Sequence, residues 1–121
     1  MTHNFKELKI WQLGLEIARL SYKVTRTFPD EEKYVLTSQI RRAAISIPSN
    51  IAEGSGRSTD SQFCHFLDIS LGSSCELETQ MILAFEFNYF DKTHFETFNE
   101  LIGEFRRRTR SFKSKLQNQT R

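Results

Sequence analysis

The chain has 121 residues, 38% of them hydrophobic, with 17 Lys and Arg against 15 Asp and Glu. That length fits a single domain with one modest core, and a domain so small gains from self-association because it buries a smaller share of its surface than a larger one. Five glycines and two prolines are too few for a turn-rich all-β fold, no apolar run reaches the roughly 18–20 residues of a membrane span, and Met1 to Lys6 contains no apolar signal core, so a cytoplasmic location is the default expectation.

The first helix is predicted over about residues 6–28. One seam reads Leu8, Trp11, Leu15, Ala18, Tyr22 and a second reads Ile10, Leu13, Ile17, Leu20, Val24. The two are offset by two residues, about 200° around a helix. One apolar face suffices for a monomer core, whereas two opposed faces call for two partners. One seam is therefore expected in the core, and part of the other at a subunit boundary. Phe28-Pro29-Asp30 is read as the end of this helix and the cap of the next, with Glu31 and Glu32 in a favourable first turn.

The second helix is predicted over about residues 31–53, with a core seam of Leu36, Ile40, Ala44, Ile47 and Ile51. Pro48 falls inside this pattern and is expected to kink the helix without ending it, since Ile51 keeps the phase. Gly54-Ser55-Gly56 then reads as a helix terminator. On the opposite face lie Ser38, Arg42, Ser46, Ser49 and Glu53, flanked by Arg41 and Asn50. This polar patch reads as a structural or subunit-facing surface, with Arg41 or Arg42 available to pair with Glu76 or Glu78.

The third helix is predicted over about residues 59–87, with the seam Phe63, Leu67, Ser70, Ser74, Leu77, Met81, Ala84 and room for a close neighbour at Gly72-Ser73-Ser74. Asn88 to Asp91 reads as a turn, and Thr93 with Glu96 resembles a capping box. The fourth helix, about 93–117, carries Phe95, Phe98, Ile102, Phe105, Thr109, Phe112 and Leu116. Four helices joined by short loops make sequential neighbours antiparallel. The expected fold is all-α, an up-down-up-down four-helix bundle.

Charge is unevenly spread. Residues 1–57 balance at +3, residues 58–104 at −8 and residues 105–121 at +7. Antiparallel packing sets the end of helix 4 beside the start of helix 1 and the helix 2–3 loop. That end would collect Lys6, Lys9, Arg57, Arg106, Arg107, Arg108, Arg110, Lys113 and Lys115, and the other end Asp30, Glu31, Glu32, Glu86, Asp91 and Glu96. Helix-dipole complementarity accounts for much of the acidic pole but less well for seven uncompensated cations in seventeen residues. All but Lys115 of the basic set are the candidate phosphate contacts.

No catalytic reading stands out. The serines lack a nearby His and acid at a suggestive spacing, and Gly54-Ser55-Gly56-Arg57-Ser58 lacks the Lys-Ser/Thr of a phosphate-binding loop. His65 and Asp68, one turn apart, read as a surface pair, and the Glu-x-x-His pairs of a di-iron bundle are absent. His3, His65 and His94 are isolated, so no metal site is expected. Cys64 and Cys75 are about 16 Å apart along one helix, too far for a disulfide. The chain is read as a non-enzyme without cofactors.

At helix 2 the sequence resembles a known family. Phe28-Pro29, the run Leu36-Thr37-Ser38-Gln39-Ile40-Arg41-Arg42-Ala43-Ala44 and the run Ser46-Ile47-Pro48-Ser49-Asn50-Ile51-Ala52-Glu53-Gly54 look like the bacterial 23S rRNA intervening-sequence proteins, also called four-helix bundle proteins. Phe5 to Trp11 resembles the family's start and Ser74 to Gln80 its third helix. The resemblance implies a ring-like homopentamer. Some relatives are encoded within insertions of large-subunit ribosomal RNA genes. Others resemble the accessory protein of diversity-generating retroelements, a pentamer that binds nucleic acid and the reverse transcriptase. Many have no established role. Two functional readings stay open: a nucleic-acid-binding accessory factor acting through the basic pole on RNA or DNA, and a protein-interaction scaffold with no nucleic-acid role.

Overall fold

The computed structural model describes residues 3–119. They form four α-helices, α1 (Lys9–Thr25), α2 (Leu36–Ser55), α3 (Asp60–Glu86) and α4 (Lys92–Gln119), with short 3-10 turns at Phe5–Glu7 and Asp30–Glu32. The helices pack in a square, α1 and α3 each lying against both α2 and α4. Cross-helix contacts show the antiparallel sense. Ser46 meets Ser73 while the later Ile47 carbonyl meets the earlier Ser70. On the next pair Arg106 meets Glu78, while Lys113 meets Asp68. The fold is the expected all-α, up-down-up-down four-helix bundle.

Three helix ends differ from the sequence reading. Residues 5–7 are a 3-10 turn capped by the Asn4 side chain, and the extended backbone of Leu8 separates that turn from α1. At its other end α1 stops at Thr25, because Pro29 disfavours helical backbone at Phe28. The second helix begins at Leu36 rather than residue 31. Asp30, Glu31 and Glu32 form their own 3-10 turn, and Val35 breaks the path with φ −120° and ψ −98°. Glu32 still reaches the helix start, accepting from the Leu36 backbone N–H at 3.4 Å.

The core follows the seams. All seven seam residues of α3 are buried, as are Ile40, Ala44, Ile47 and Ile51 of α2 and Phe98, Ile102, Phe105, Thr109 and Leu116 of α4. On α1 the seam of Ile10, Leu13, Ile17 and Val24 is buried, with Leu20 half-buried, and the second seam from Leu8 to Tyr22 is half-buried throughout. Helix α2 runs unbroken through Pro48. The ring sits at the closest crossing of α1 and α2, where a side chain on Gly14 would meet Pro48 Cβ at 3.2 Å. Gly54 does not terminate α2. It is buried within the last turn, where a Cβ would fall 2.7 Å from Phe66 Cβ and 2.8 Å from Phe63 Cδ1. Gly72, by contrast, faces open space, so the close approach on α3 belongs to Ser73 and Ser74.

The turn after α3 is a Schellman closure. Asn88 adopts φ 64°, its N–H donates to the Phe85 carbonyl, and the Tyr89 N–H donates to the Ala84 carbonyl at 3.0 Å. Thr59 caps α3, accepting from the Gln62 backbone N–H. Helix α4 begins at Lys92, so Thr93 lies inside its first turn and the position before the helix belongs to Asp91, whose side chain pairs with His94. The expected Thr93–Glu96 capping box is therefore out of register.

Candidate nucleic-acid interface

Helix α4 spreads its cations over three faces. Arg106 and Lys113, seven residues apart, turn toward α3. Arg106 Nε donates to Ser74 Oγ at 3.1 Å and its Nη1 to Glu78 Oε1 at 2.7 Å. Its side chain is 16% exposed, and its Nη2 is buried with no hydrogen-bond partner among the described residues. Lys113 donates to Asp68 at 2.6 Å. Arg107 and Arg108 turn toward α1, and Arg110 faces solvent. Arg106 is therefore a bundle-locking residue and not a surface phosphate contact. The small Ser74 on the α3 seam meets its long side chain.

Between the start of α1 and the end of α4 lies an open groove of about 380 Å³, lined by Leu8, Lys9, Ile10, Arg107, Arg108, Ser111, Phe112 and Lys115. Its rim is cationic and its floor apolar. Arg108 pairs with Glu104 at 2.8 Å. Lys9, Arg107 and Lys115 form no ion pair among the described residues, nor do exposed Lys6 and Arg110. Lys115, which the sequence reading left out of the candidate contacts, belongs to the groove: it stands one turn beyond Ser111 and two beyond Arg107. Only the register of α4 against α1 reveals this.

Arg57 occupies a separate depression at the same end, with Ser61, Gln62, His65 and Phe66. It pairs with Glu53 at 3.1 Å and stacks on Phe66, its guanidinium 4.6 Å from the ring centre. Of the eight expected contacts, Lys9, Arg107 and Arg108 line the groove. Lys6 and Arg110 are exposed without an ion pair, and Arg57, Arg106 and Lys113 are engaged elsewhere.

The polar patch of α2 divides. Ser46 and Asn50 face α3: Ser46 Oγ lies 2.8 Å from Ser73 Oγ and accepts from Asn50 Nδ2. Arg41 turns to α1, not to Glu76 or Glu78. It donates to Thr25 Oγ1 at 2.9 Å and lies 4.7 Å from the Tyr22 ring centre. Ser38 is half-buried, while Arg42, Ser49 and Glu53 are exposed.

Cys64 is buried and Cys75 exposed, both as free thiols. Burial pushes the Cys64 thiol up, with Lys113 partly offsetting this and Asp68 and Asp60 adding to it. Among the described residues no three His, Cys, Asp or Glu side chains converge as a metal site, and no helix is long and apolar enough to cross a membrane.

None of the curated proteins is significantly similar to this chain. A crystal structure of a protein of unknown function from the S23 ribosomal protein family, from Bacteroides thetaiotaomicron VPI-5482, is similar at 25% identity and a TM-score of 0.78, covering 86% of this chain and 97% of that one. The model of the 23S rRNA-intervening sequence proteins matches residues 6–111, which takes in all of α1, α2 and α3 and two thirds of α4, and the chain belongs to that family.

Proposed function

We propose that this protein is a non-catalytic, self-associating bundle of the bacterial cytoplasm that binds RNA or DNA through phosphate contacts at its basic end. The observation that carries the reading is that Lys6, Lys9, Arg107, Arg110 and Lys115 all lack an acidic partner among the described residues. Lys23, Arg26, Lys33 and Lys92 at the other end also form no ion pair among the described residues but stand among acidic residues, whereas residues 105–121 carry seven Lys and Arg and no Asp or Glu. Such an unbalanced basic end is the electrostatic footprint of a phosphate-binding surface. Such binding is weakly sequence-specific and steeply salt-dependent.

Self-association is supported by two separate apolar surfaces on diagonal helices. One is the part of the second seam within α1, half-buried Trp11, Leu15, Ala18 and Tyr22, and the other is the exposed Ile69 and Leu83 of α3, fourteen residues apart on one helix face. Distinct surfaces on opposite sides favour head-to-tail contacts, which close into a ring when the rotation allows. A cyclic ring, a pentamer by the family resemblance, sets every basic end on one side and raises avidity without new contacts. Mass measurement at micromolar concentration should find an oligomer, and a clean monomer would remove this part of the reading.

The functional test is affinity for RNA and DNA over a salt series, wild type against the Arg107→Glu, Arg110→Glu, Lys115→Glu triple variant. The variant should retain its helicity and lose at least about tenfold in affinity at low salt, with a shallower salt slope. Equal affinities, or no binding at low salt, would favour the second reading, a protein-interaction scaffold. That reading rests on Tyr34, Val35 and Ile45, exposed at 84%, 60% and 46% at the start and along the outer face of α2.

A further inference from the structure

The groove between α1 and α4 contains more than a phosphate surface needs. A phosphate-binding surface requires only donors and positive charge. Here half-buried Leu8 and Phe112 form an apolar floor between the cations. Phe112 is held from behind, its ring 5.5 Å from that of Phe63 in an edge-to-face contact. Leu8 lines it from the extended junction before α1, with φ −76° and ψ 126°. Ser111 stands exposed on the rim, one turn from Arg107 and one from Lys115, with no hydrogen-bond partner among the described residues. A hydroxyl in that position can both donate and accept.

We infer that the groove takes an unpaired nucleobase, so that the strand bound at this end is single-stranded. The inference rests on the nucleic-acid reading above and makes it more specific. A duplex turns its bases toward each other and offers a protein phosphates and groove edges, leaving the Leu8–Phe112 floor with nothing to cover it. A single strand offers a base face to the floor, a base edge to Ser111, and flanking phosphates to Lys9, Arg107 and Lys115. The volume of about 380 Å³ lies within the roughly 300–1,000 Å³ range of small-molecule clefts and suits one nucleotide. An acidic amphipathic helix is the other occupant that charge would admit. It needs a stripe of anchors spaced along several turns, and two floor residues in one short depression do not supply it.

The test compares three labelled probes on the full-length protein: a mixed-sequence single strand, a strand of equal length built of abasic sites, and the duplex of the first. The intact strand should bind at least about fivefold more tightly than the abasic strand, the lower bound for one base stacked on an aromatic side chain. Ser111→Leu, which narrows the groove from an exposed position without adding an aromatic face on which a base could stack, should bring the intact strand down to the abasic level. It should leave the abasic strand and the duplex unchanged. Equal binding of intact and abasic strands by the wild type overturns the inference and leaves the phosphate reading standing. So does a Ser111→Leu effect of equal size on all three probes. Displacement of the intact strand by an acidic Leu-Glu amphipathic helix at a lower concentration than unlabelled strand requires makes the groove a protein site. No binding of any probe at low salt removes both readings together.

Discussion

The two ends of the bundle are built on opposite principles. At the acidic end the connections are sealed by aromatic rings. Phe28 packs beside Tyr89 and Phe90, and Phe85 stacks on Phe95 with ring centres 4.3 Å apart. Two of its polar groups are tied across the connections: the Tyr89 hydroxyl donates to Glu32 at 2.8 Å, and His94 pairs with Asp91. Exposed Lys23, Arg26, Lys33 and Lys92 form no ion pair among the described residues but share this end with Asp30, Glu31, Glu86 and Glu96. The Thr27 hydroxyl reaches across to the Tyr89 carbonyl at 3.4 Å. At the basic end the closing contacts gather around His3, Phe63 and Phe112, and the unpaired cations are not balanced by acid, since residues 105–121 carry seven Lys and Arg and no Asp or Glu. Burial and satisfied hydrogen bonds are what a fold needs, whereas unpaired charge beside open apolar surface contributes nothing to it. The contrast assigns stability to one end and ligand contact to the other.

The comparison breaks most easily at the sealed end. Phe28 is 7% exposed, and Phe28→Ala should cost about 3–5 kcal/mol, the range for truncating a buried aromatic. For a chain of this length that amounts to a fall in Tm of roughly 10 °C or more. Thermal unfolding followed by circular dichroism measures it. The triple reversal at Arg107, Arg110 and Lys115 should move the same transition by no more than about 1 kcal/mol, since exposed unpaired substitutions are usually near neutral. If the reversal proved as destabilising as Phe28→Ala, the basic end would be structural and the contrast would fail.

A sharper version runs between adjacent arginines. Arg106→Ala removes a guanidinium from between Ser74 and Glu78 and strands the Glu78 carboxylate. A fully buried pair broken this way costs roughly 3–5 kcal/mol. Glu78 keeps 33% of its side chain in water, which screens the loss, so about 2 kcal/mol is expected. Arg107→Ala should cost no more than about 0.5 kcal/mol yet weaken nucleic-acid binding, which Arg106→Met should not do beyond its effect on folding. Urea titration and binding measured on the same preparations separate the two residues. Gly54→Ala belongs between these effects, at about 1–3 kcal/mol for overpacking, because its Cβ would press on Phe63 and Phe66.

These residues also show where sequence reasoning reaches and where it stops. Helical period alone identified every buried seam position of α3, because a side chain's angular place on a long helix follows from its number. The charge count located the basic end, because short loops leave little freedom in how antiparallel helices are ordered. It did not separate Arg106 from Arg107. Both sit in one run of cations, and the distinction depends on 100° of rotation and on a serine stripe across the interface. The small Ser74 on the core seam of α3, with Glu78 one turn on, was the available signal for a long cationic side chain from the facing helix. The start of α2 was misread because Glu31 and Glu32 have the composition of a first turn, while the break at Val35 is a tertiary arrangement that composition does not encode. The groove needed the α1–α4 register, to which period and charge are both blind.

The smallest expected effect tests whether the Tyr89–Glu32 link at the sealed end holds as the geometry implies. The Tyr89 phenol lies above its ordinary range because its hydroxyl donates to Glu32, with burial and the nearby charges of Glu32 and Glu31 adding to this. A group whose folded pKa is raised contributes stability that is present below the unfolded value and lost as pH rises through the folded one. This link should therefore hold through neutral pH and fail only above about pH 10, the ordinary phenol value. Ultraviolet titration of phenolate absorbance should show a step above that range which disappears in Tyr89→Phe. Glu32→Gln should bring the step back toward the ordinary value, since the amide oxygen can still accept the hydrogen bond but carries no charge to oppose phenolate formation. Neither variant should alter nucleic-acid binding, because Glu32 and Tyr89 stand at the opposite end from the groove. A Tyr89 step unmoved by Glu32→Gln would mean the hydroxyl is not held by that carboxylate, and the sealed end would then rest on aromatic packing alone.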